Sequence, residues 1–234
     1  MGRSERTPGR SHAGQAIYSP LTLLLYDLVV LGISNRFVWR CPTARILALY
    51  DRHVAADHLD VGVGTGWYLD RCRFPTATPR IGLLDLNPHS LAAAARRIER
   101  HRPHRRQADV LQPLPAQGPP YGSIALAYLL HCLPGTIPQK AVAFDNLRPL
   151  LRPDGVLFGA TLLSEGVERS RPARRLMSIY QRKGVFSNSG DSLVDLRTEL
   201  ERRFREVAIE VVGCAALFSA QGPRSGLGES AADP

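Results

Sequence analysis

Lysine is almost missing from this sequence: of 30 basic residues, all but Lys140 and Lys183 are arginine. A bias of that kind follows genome base composition, so the formal net charge of +9 does not by itself indicate a nucleic-acid partner. Cysteine is scarce as well. Cys41, Cys72, Cys132 and Cys214 form no Cys-x-x-Cys pair and no metal-ligand spacing. That excludes a zinc module, predicts no metal site, and reads as reduced thiols in a cytoplasmic protein. No apolar run follows Met1, and the longest apolar stretch, Leu21 to Ile33, is interrupted by Tyr26, Asp27 and Gly32, which excludes a signal peptide and a membrane span. Two nucleotide fingerprints are absent too. No register of the glycine-rich segment gives Gly-x-Gly-x-x-Gly, and no Gly-Lys-Ser/Thr follows it.

What is present is His58-Leu59-Asp60-Val61-Gly62-Val63-Gly64-Thr65-Gly66-Trp67-Tyr68-Leu69, an apolar run ending in three alternate glycines and then changing to a helical pattern. A buried strand that turns sharply into a helix beneath a nucleotide-like ligand has this form, since glycine permits positive φ and close backbone approach. A second strand, Arg80 to Asn87, carries Asp85, nineteen residues beyond Gly66. A carboxylate at that strand end can accept both hydroxyls of a ribose. A third strand, about His104 to Ala108, ends in Asp109-Val110, whose aspartate could equally cap the next turn. Prolines 113, 115, 119 and 120 leave residues 112–120 as loop.

The pattern Asp60-x-Gly62-x-Gly64-x-Gly66 resembles motif I of the class I S-adenosylmethionine (SAM)-dependent methyltransferases. Leu150-Leu151-Arg152-Pro153-Asp154-Gly155 resembles the turn before their fifth strand, with a helix expected over 137–151 ahead of it. The resemblance is to the small-molecule type 11/12 enzymes, similar to those of ubiquinone and menaquinone biosynthesis. It implies an α/β, Rossmann-like, seven-stranded, mostly parallel sheet with an antiparallel C-terminal edge hairpin and helices on both faces. The hairpin falls at about Glu206–Val212 and Ala215–Ala220, where Val207, Ile209 and Val211 alternate. One domain is expected over 18–220, between a disordered arm at 1–17 and a flexible tail at 221–234. It would include an N-terminal helical lid at 18–42 and an insertion at 163–191 after the fifth strand.

The resemblance also assigns roles. SAM, released as S-adenosylhomocysteine (SAH), would be held by Asp60, Gly62, Gly64, Gly66, Asp85, Leu86, Asp109, Val110 and Tyr128. Tyr18 and Tyr26 of the lid would cover it. Asn35 and Trp39, with Met177, Tyr180, Phe186 and Asn188 of the insertion, would line the acceptor pocket. In family members the fourth strand opens on an aspartate; Ser123 stands there instead. At that strand's exit, His131-Cys132-Leu133-Pro134 replaces the Asn/Asp-Pro-Pro-aromatic segment of base N-methyltransferases and lacks the Pro-Cys of cytosine enzymes. Both differences argue against a nucleic-acid substrate.

Methyl transfer needs mainly alignment and desolvation, with a base only where the acceptor must lose a proton. His131 is either that base or a residue that shapes the pocket. The expected activity is methylation of a small molecule, of aromatic or polyketide type. Two other readings stay open: an RNA or protein methyltransferase using the Arg-rich surface, and a SAM-binding enzyme such as a cyclase that transfers no methyl group. Neither acceptor nor oligomeric state follows from the sequence.

Overall fold

The computed structural model describes residues 27–224; the expected arm, Tyr18, Tyr26 and the end of the expected tail lie outside them. A leading helix of wide π pitch, α1 (Asp27–Val38), precedes α2 (Thr43–His53). The chain then alternates between strand and helix through β1 (Asp57–Val61), α3 (Trp67–Arg71), β2 (Arg80–Asp85), α4 (Pro88–Arg97), β3 (His104–Gln107) and β4 (Tyr121–Ala127). Two short helices, α5 (Ile137–Lys140) and α6 (Val142–Leu147), lead to β5 (Leu151–Leu162). After α7 (Arg171–Arg182) and α8 (Leu193–Arg203), the strands β6 (Phe204–Val212) and β7 (Ala215–Pro223) close the described chain.

The seven strands lie in the order β3-β2-β1-β4-β5-β7-β6, parallel except where β7 pairs with β5 and β6. From β1 the crossovers run one way to β2 and β3 and the other way to β4 and β5. A crevice therefore opens at the carboxyl ends of β1 and β4, where open α/β sheets bind ligands. Period-two alternation divides the core between the faces. Val156, Phe158, Ala160 and Leu162 of β5 pack with Ile46 and Tyr50 of α2 and Leu91 and Ala94 of α4. Leu157 faces the other way, with Ile124 and Leu126 of β4, onto Phe144 and Leu147 of α6 and Leu196 and Leu200 of α8. Each such buried Leu or Phe contributes roughly 1.5–3 kcal/mol relative to exposure.

Four features depart from the sequence expectation. The helical pattern after the glycine loop yields a helix of only five residues, too few for a strong terminal dipole, so polarity at this turn comes from the loop's own N–H groups. The helix expected over 137–151 breaks into α5, α6 and a 3-10 turn at Arg148–Leu150. The Arg152-Pro153-Asp154-Gly155 turn bulges out of β5 itself: pairing slips between Tyr121↔Leu151 and Ser123↔Val156. The tail expected from 221 is also shortened, because Gln221 pairs with both Val156 and Glu206 and Pro223 with Phe204. Among the described residues, no helix is long and apolar enough to cross a membrane.

Candidate functional site

Gly62, Gly64 and Gly66 all take positive φ, at 72°, 52° and 72°. Their surroundings separate their tasks. A Cβ on Gly62 would come within 2.8 Å of Leu129, and one on Gly66 within 3.0 Å of the Ala94 backbone, so these two let the loop pack against β4's exit and α4. A Cβ on Gly64 would meet nothing within 4 Å. The crest of the loop is bare backbone facing open space, as a bound nucleoside requires. One hollow beside it is lined by Tyr50, Asp60, Trp67 and Tyr128, and a second by Asp85, Leu86, Asp109, Val110 and Cys132; Gly62 belongs to both.

Asp85 is half-buried and accepts the Asn87 N–H at 2.8 Å, with the N–H groups of Val63 and Gly64 also turned to it. Burial is the larger effect and pushes its carboxyl up to about 6. A group in that state gains from hydroxyl donors, which favour its charged form. Asp109 accepts the Leu111 N–H at 2.9 Å through one oxygen, which is the turn-capping role. Val110 is buried beside it, and the Leu86 carbonyl accepts from Gln107. These residues fit a nucleoside: carboxylates at two strand ends, an apolar wall between, and a bare glycine crest.

Tyr128 closes β4 in the left-handed region, at φ 59°, with its N–H donating to the Ala160 carbonyl at 2.7 Å. A non-glycine residue there costs about 1–2 kcal/mol, which the surrounding contacts must offset. Its ring meets that of His131 edge-on at 5.5 Å. His131 is buried, and its Nδ1 accepts from the Leu162 N–H at 3.3 Å and faces the Thr161 hydroxyl at 3.4 Å. Burial first, then the Lys140 charge, push the ring down to about 3. It is therefore neutral near pH 7, with Nδ1 engaged and the proton on Nε2. That is a hydrogen-bond donor and a weak base.

The insertion meets this histidine through Phe186, whose ring lies 4.6 Å from His131, 4.9 Å from Tyr180 and 6.1 Å from Trp39. Three of the residues expected to line an acceptor pocket, one from the lid and two from the insertion, thus converge on the β4 exit. Trp39, Met177 and Asn188 are buried, while Tyr180 and Phe186 are only partly so. The Met177 sulfur is surrounded by the Ser164 hydroxyl, Asn188 and Arg169. Asn188 donates to the Leu162 carbonyl and accepts from Gln181, so its amide is spent on holding the insertion to β5. Asn35 is fully buried; it donates to Thr43, while its Oδ1 has no partner.

Sequence reasoning missed the device that anchors this wall. Lys140 and Asp191 form a fully buried ion pair at 2.6 Å, and Lys140 also donates to the Ser187 carbonyl at 2.8 Å. Ser187 in turn donates its N–H to the His131 carbonyl. Next to Asp191, Ser192 caps α8, its hydroxyl accepting the Asp195 N–H. One signal was available, since Lys140 is one of two lysines in an arginine-rich chain, but its partner is fifty-one positions away. Among the described residues, no group of three or more His, Cys, Asp or Glu side chains is placed to hold a metal ion.

The family model described as "Methyltransferase domain" matches residues 59–157. Demethylluteothin O-methyltransferase of Streptomyces thioluteus is 41% identical over 207 residues, covering 88% of this chain and 90% of that protein. A physcion biosynthesis cluster O-methyltransferase of Aspergillus chevalieri is 38% identical, covering 90% and 96%. Among solved structures, the DhpI–SAH complex superposes with a TM-score of 0.66 at 16% identity, over 92% of this chain and 98% of the other, a likeness of fold. From relatives this similar over nearly the whole chain, the protein belongs to the SAM-dependent methyltransferases.

Proposed function

We propose that this enzyme transfers the methyl group of SAM to an oxygen of a small natural product with an aromatic or polyketide skeleton. The observation that carries the reading is the ring cluster of Trp39, Tyr180, Phe186 and His131, set beside the glycine-loop hollow through Tyr128. Flat apolar walls beside one imidazole N–H donor suit a phenol or enol. The relatives named above as O-methyltransferases support the same class.

SAM supplies an electrophilic methyl group on a sulfonium. The chain's own part is to place and to exclude water. The bare loop crest and Asp85 seat the nucleoside, with Asp109 and Val110 beside the base. The ring cluster stacks the acceptor, and His131 offers its Nε2–H to the reacting oxygen. Phenols and enols acidic enough to ionise on their own need orientation more than a strong base. His131 fits that as a neutral donor that steadies the oxyanion, a role between the base and the pocket-shaping residue that the sequence left open.

No observation favours an RNA or protein acceptor. Several surface arginines are paired with acids, among them Arg80 with Asp57, Arg100 with Asp70 and Arg152 with Asp154. The deciding experiment is incubation with methyl-labelled SAM and a panel of phenolic and enolic polyketides beside RNA and protein extracts, read by mass spectrometry. Label on an oxygen of a small molecule is the expected result; label confined to RNA or protein would overturn the reading.

A further inference from the structure

Behind the glycine loop a row of polar groups runs through an otherwise apolar core. Ser123 of β4 sits at the start of the strand, where the family pattern has an acid, and its register partner is His58 of β1. The Ser123 Oγ accepts the Ala55 N–H at 2.8 Å, which leaves its own hydrogen free to donate to His58 Nδ1, also at 2.8 Å. With Nδ1 accepting, the imidazole proton is on Nε2. That nitrogen is buried without a hydrogen-bond partner and faces Asp60 Oδ2 at 3.8 Å. The same oxygen accepts the Tyr50 hydroxyl at 2.8 Å. Rings pack on both side chains: Phe158 stacks on His58, Phe74 meets it edge-on, and Tyr68 stacks on Tyr50, which also borders the hollow. Asp60 is the end of the row and lines the hollow beneath Gly64.

A buried histidine with an orphaned N–H is costly, and a leucine would fill the space between two phenylalanines without that cost. We propose that Ser123, His58 and Tyr50 are positioning residues: they hold one oxygen of Asp60 from behind, so that its carboxylate is presented to the ammonium of the cofactor's amino-acid arm. Tyr50 fixes the oxygen by a direct bond. His58, with its tautomer set by Ser123, supplies a second donor within one small shift of the carboxylate. The inference rests on Asp60 facing that arm, and the test separates the two claims.

Isothermal titration with SAH and with 5′-methylthioadenosine, the same nucleoside thioether without the amino-acid arm, reads the effect. Asp60→Asn comes first: it should weaken SAH at least tenfold and methylthioadenosine less than twofold. Equal affinities for the parent and this variant would refute the placement of Asp60. For the relay, His58→Leu and Tyr50→Phe should each weaken SAH about five- to tenfold and leave methylthioadenosine within twofold, while His58→Gln, which keeps an N–H donor, recovers most of the SAH affinity. A structural role would move both ligands together and lower thermal stability with them. Here His58→Leu should hold or raise the melting temperature while SAH binding falls. Equal losses for both ligands, or no loss for SAH with Asp60→Asn sensitive, would overturn the relay. If His58→Leu does not fold, Tyr50→Phe, lacking a single hydroxyl, decides alone.

Discussion

The two sides of the crevice are made of different material. Beside β1 and β2 the ligand surface is mostly backbone: three left-handed glycines, the loop's N–H groups, and carboxyls at strand ends fixed by local bonds such as Asp85 to Asn87 and Asp109 to Leu111. Beside β5 and the insertion it is side chain. Phe186, Tyr180 and Trp39 stand on segments tied down by a buried ion pair and by the amide of Asn188. A backbone surface tolerates little change in shape and suits an invariant cofactor. A wall of rings held by a few polar anchors can be re-lined without disturbing the sheet, which suits acceptors that differ between enzymes.

The contrast can be broken at several points. Lys140→Met leaves Asp191 buried and uncompensated, which should cost about 3–5 kcal/mol in chemical denaturation, whereas Lys140→Met with Asp191→Leu should regain most of it. If the single variant is as stable as the parent, the insertion is not anchored there. On the backbone side, Gly66→Ala combines left-handed strain with contact against Ala94 and should cost roughly 2–4 kcal/mol of stability. Gly64→Ala meets no neighbour; it should cost about 1–2 kcal/mol of strain yet reduce SAH affinity more than tenfold. Similar binding losses with similar stability losses in both would erase the division of tasks among the glycines.

Milder changes sharpen the comparison. Phe186→Ala should raise the acceptor's KM about tenfold while SAH titration is unchanged, the signature of a wall that touches one ligand only. The pH dependence should belong to the cofactor side. The Asp85 carboxyl is raised in the folded chain, to about 6, and hydroxyl donors favour its charged form. Binding should thus draw its proton off, and SAH affinity should fall up to about tenfold per pH unit below 6, a fall absent in Asp85→Asn. For stability the sign is opposite: a raised carboxyl favours the fold most below its ordinary range and loses that contribution as pH rises toward 6. Smallest of all, His131→Asn should lower kcat a few-fold and introduce or remove no limb of the pH–rate profile between 5 and 8. A limb near neutrality that vanishes in this variant would restore His131 as a base.

The backbone half was legible in the sequence because glycines and strand-end acids act where they stand. The alternation of Gly62, Gly64 and Gly66 and the step to Asp85 are local patterns, and the seven-stranded sheet with its edge hairpin followed from the family resemblance they carry. The side-chain half was legible only in part. Phe186 and Tyr180 keep partial exposure, whereas Trp39, Met177 and Asn188 are buried, since burial depth depends on how the insertion folds back over β5. The Lys140–Asp191 pair and the Ser123–His58 contact join residues far apart in the chain. No local periodicity carries such information. Ser123 looked like a lost aspartate; it is half of a pair.

Tyr128 lies where the two materials meet, and this limits how the enzyme can change. Its φ of 59° is most comfortable for glycine or asparagine, while its buried ring walls the loop hollow and backs His131. Glycine would relieve the backbone and open a void; leucine or phenylalanine would keep bulk and the strain. In a saturation library selected for methyl transfer, position 128 should accept fewer residues than any position of the ring cluster, so acceptor range would diverge around a nearly fixed pivot.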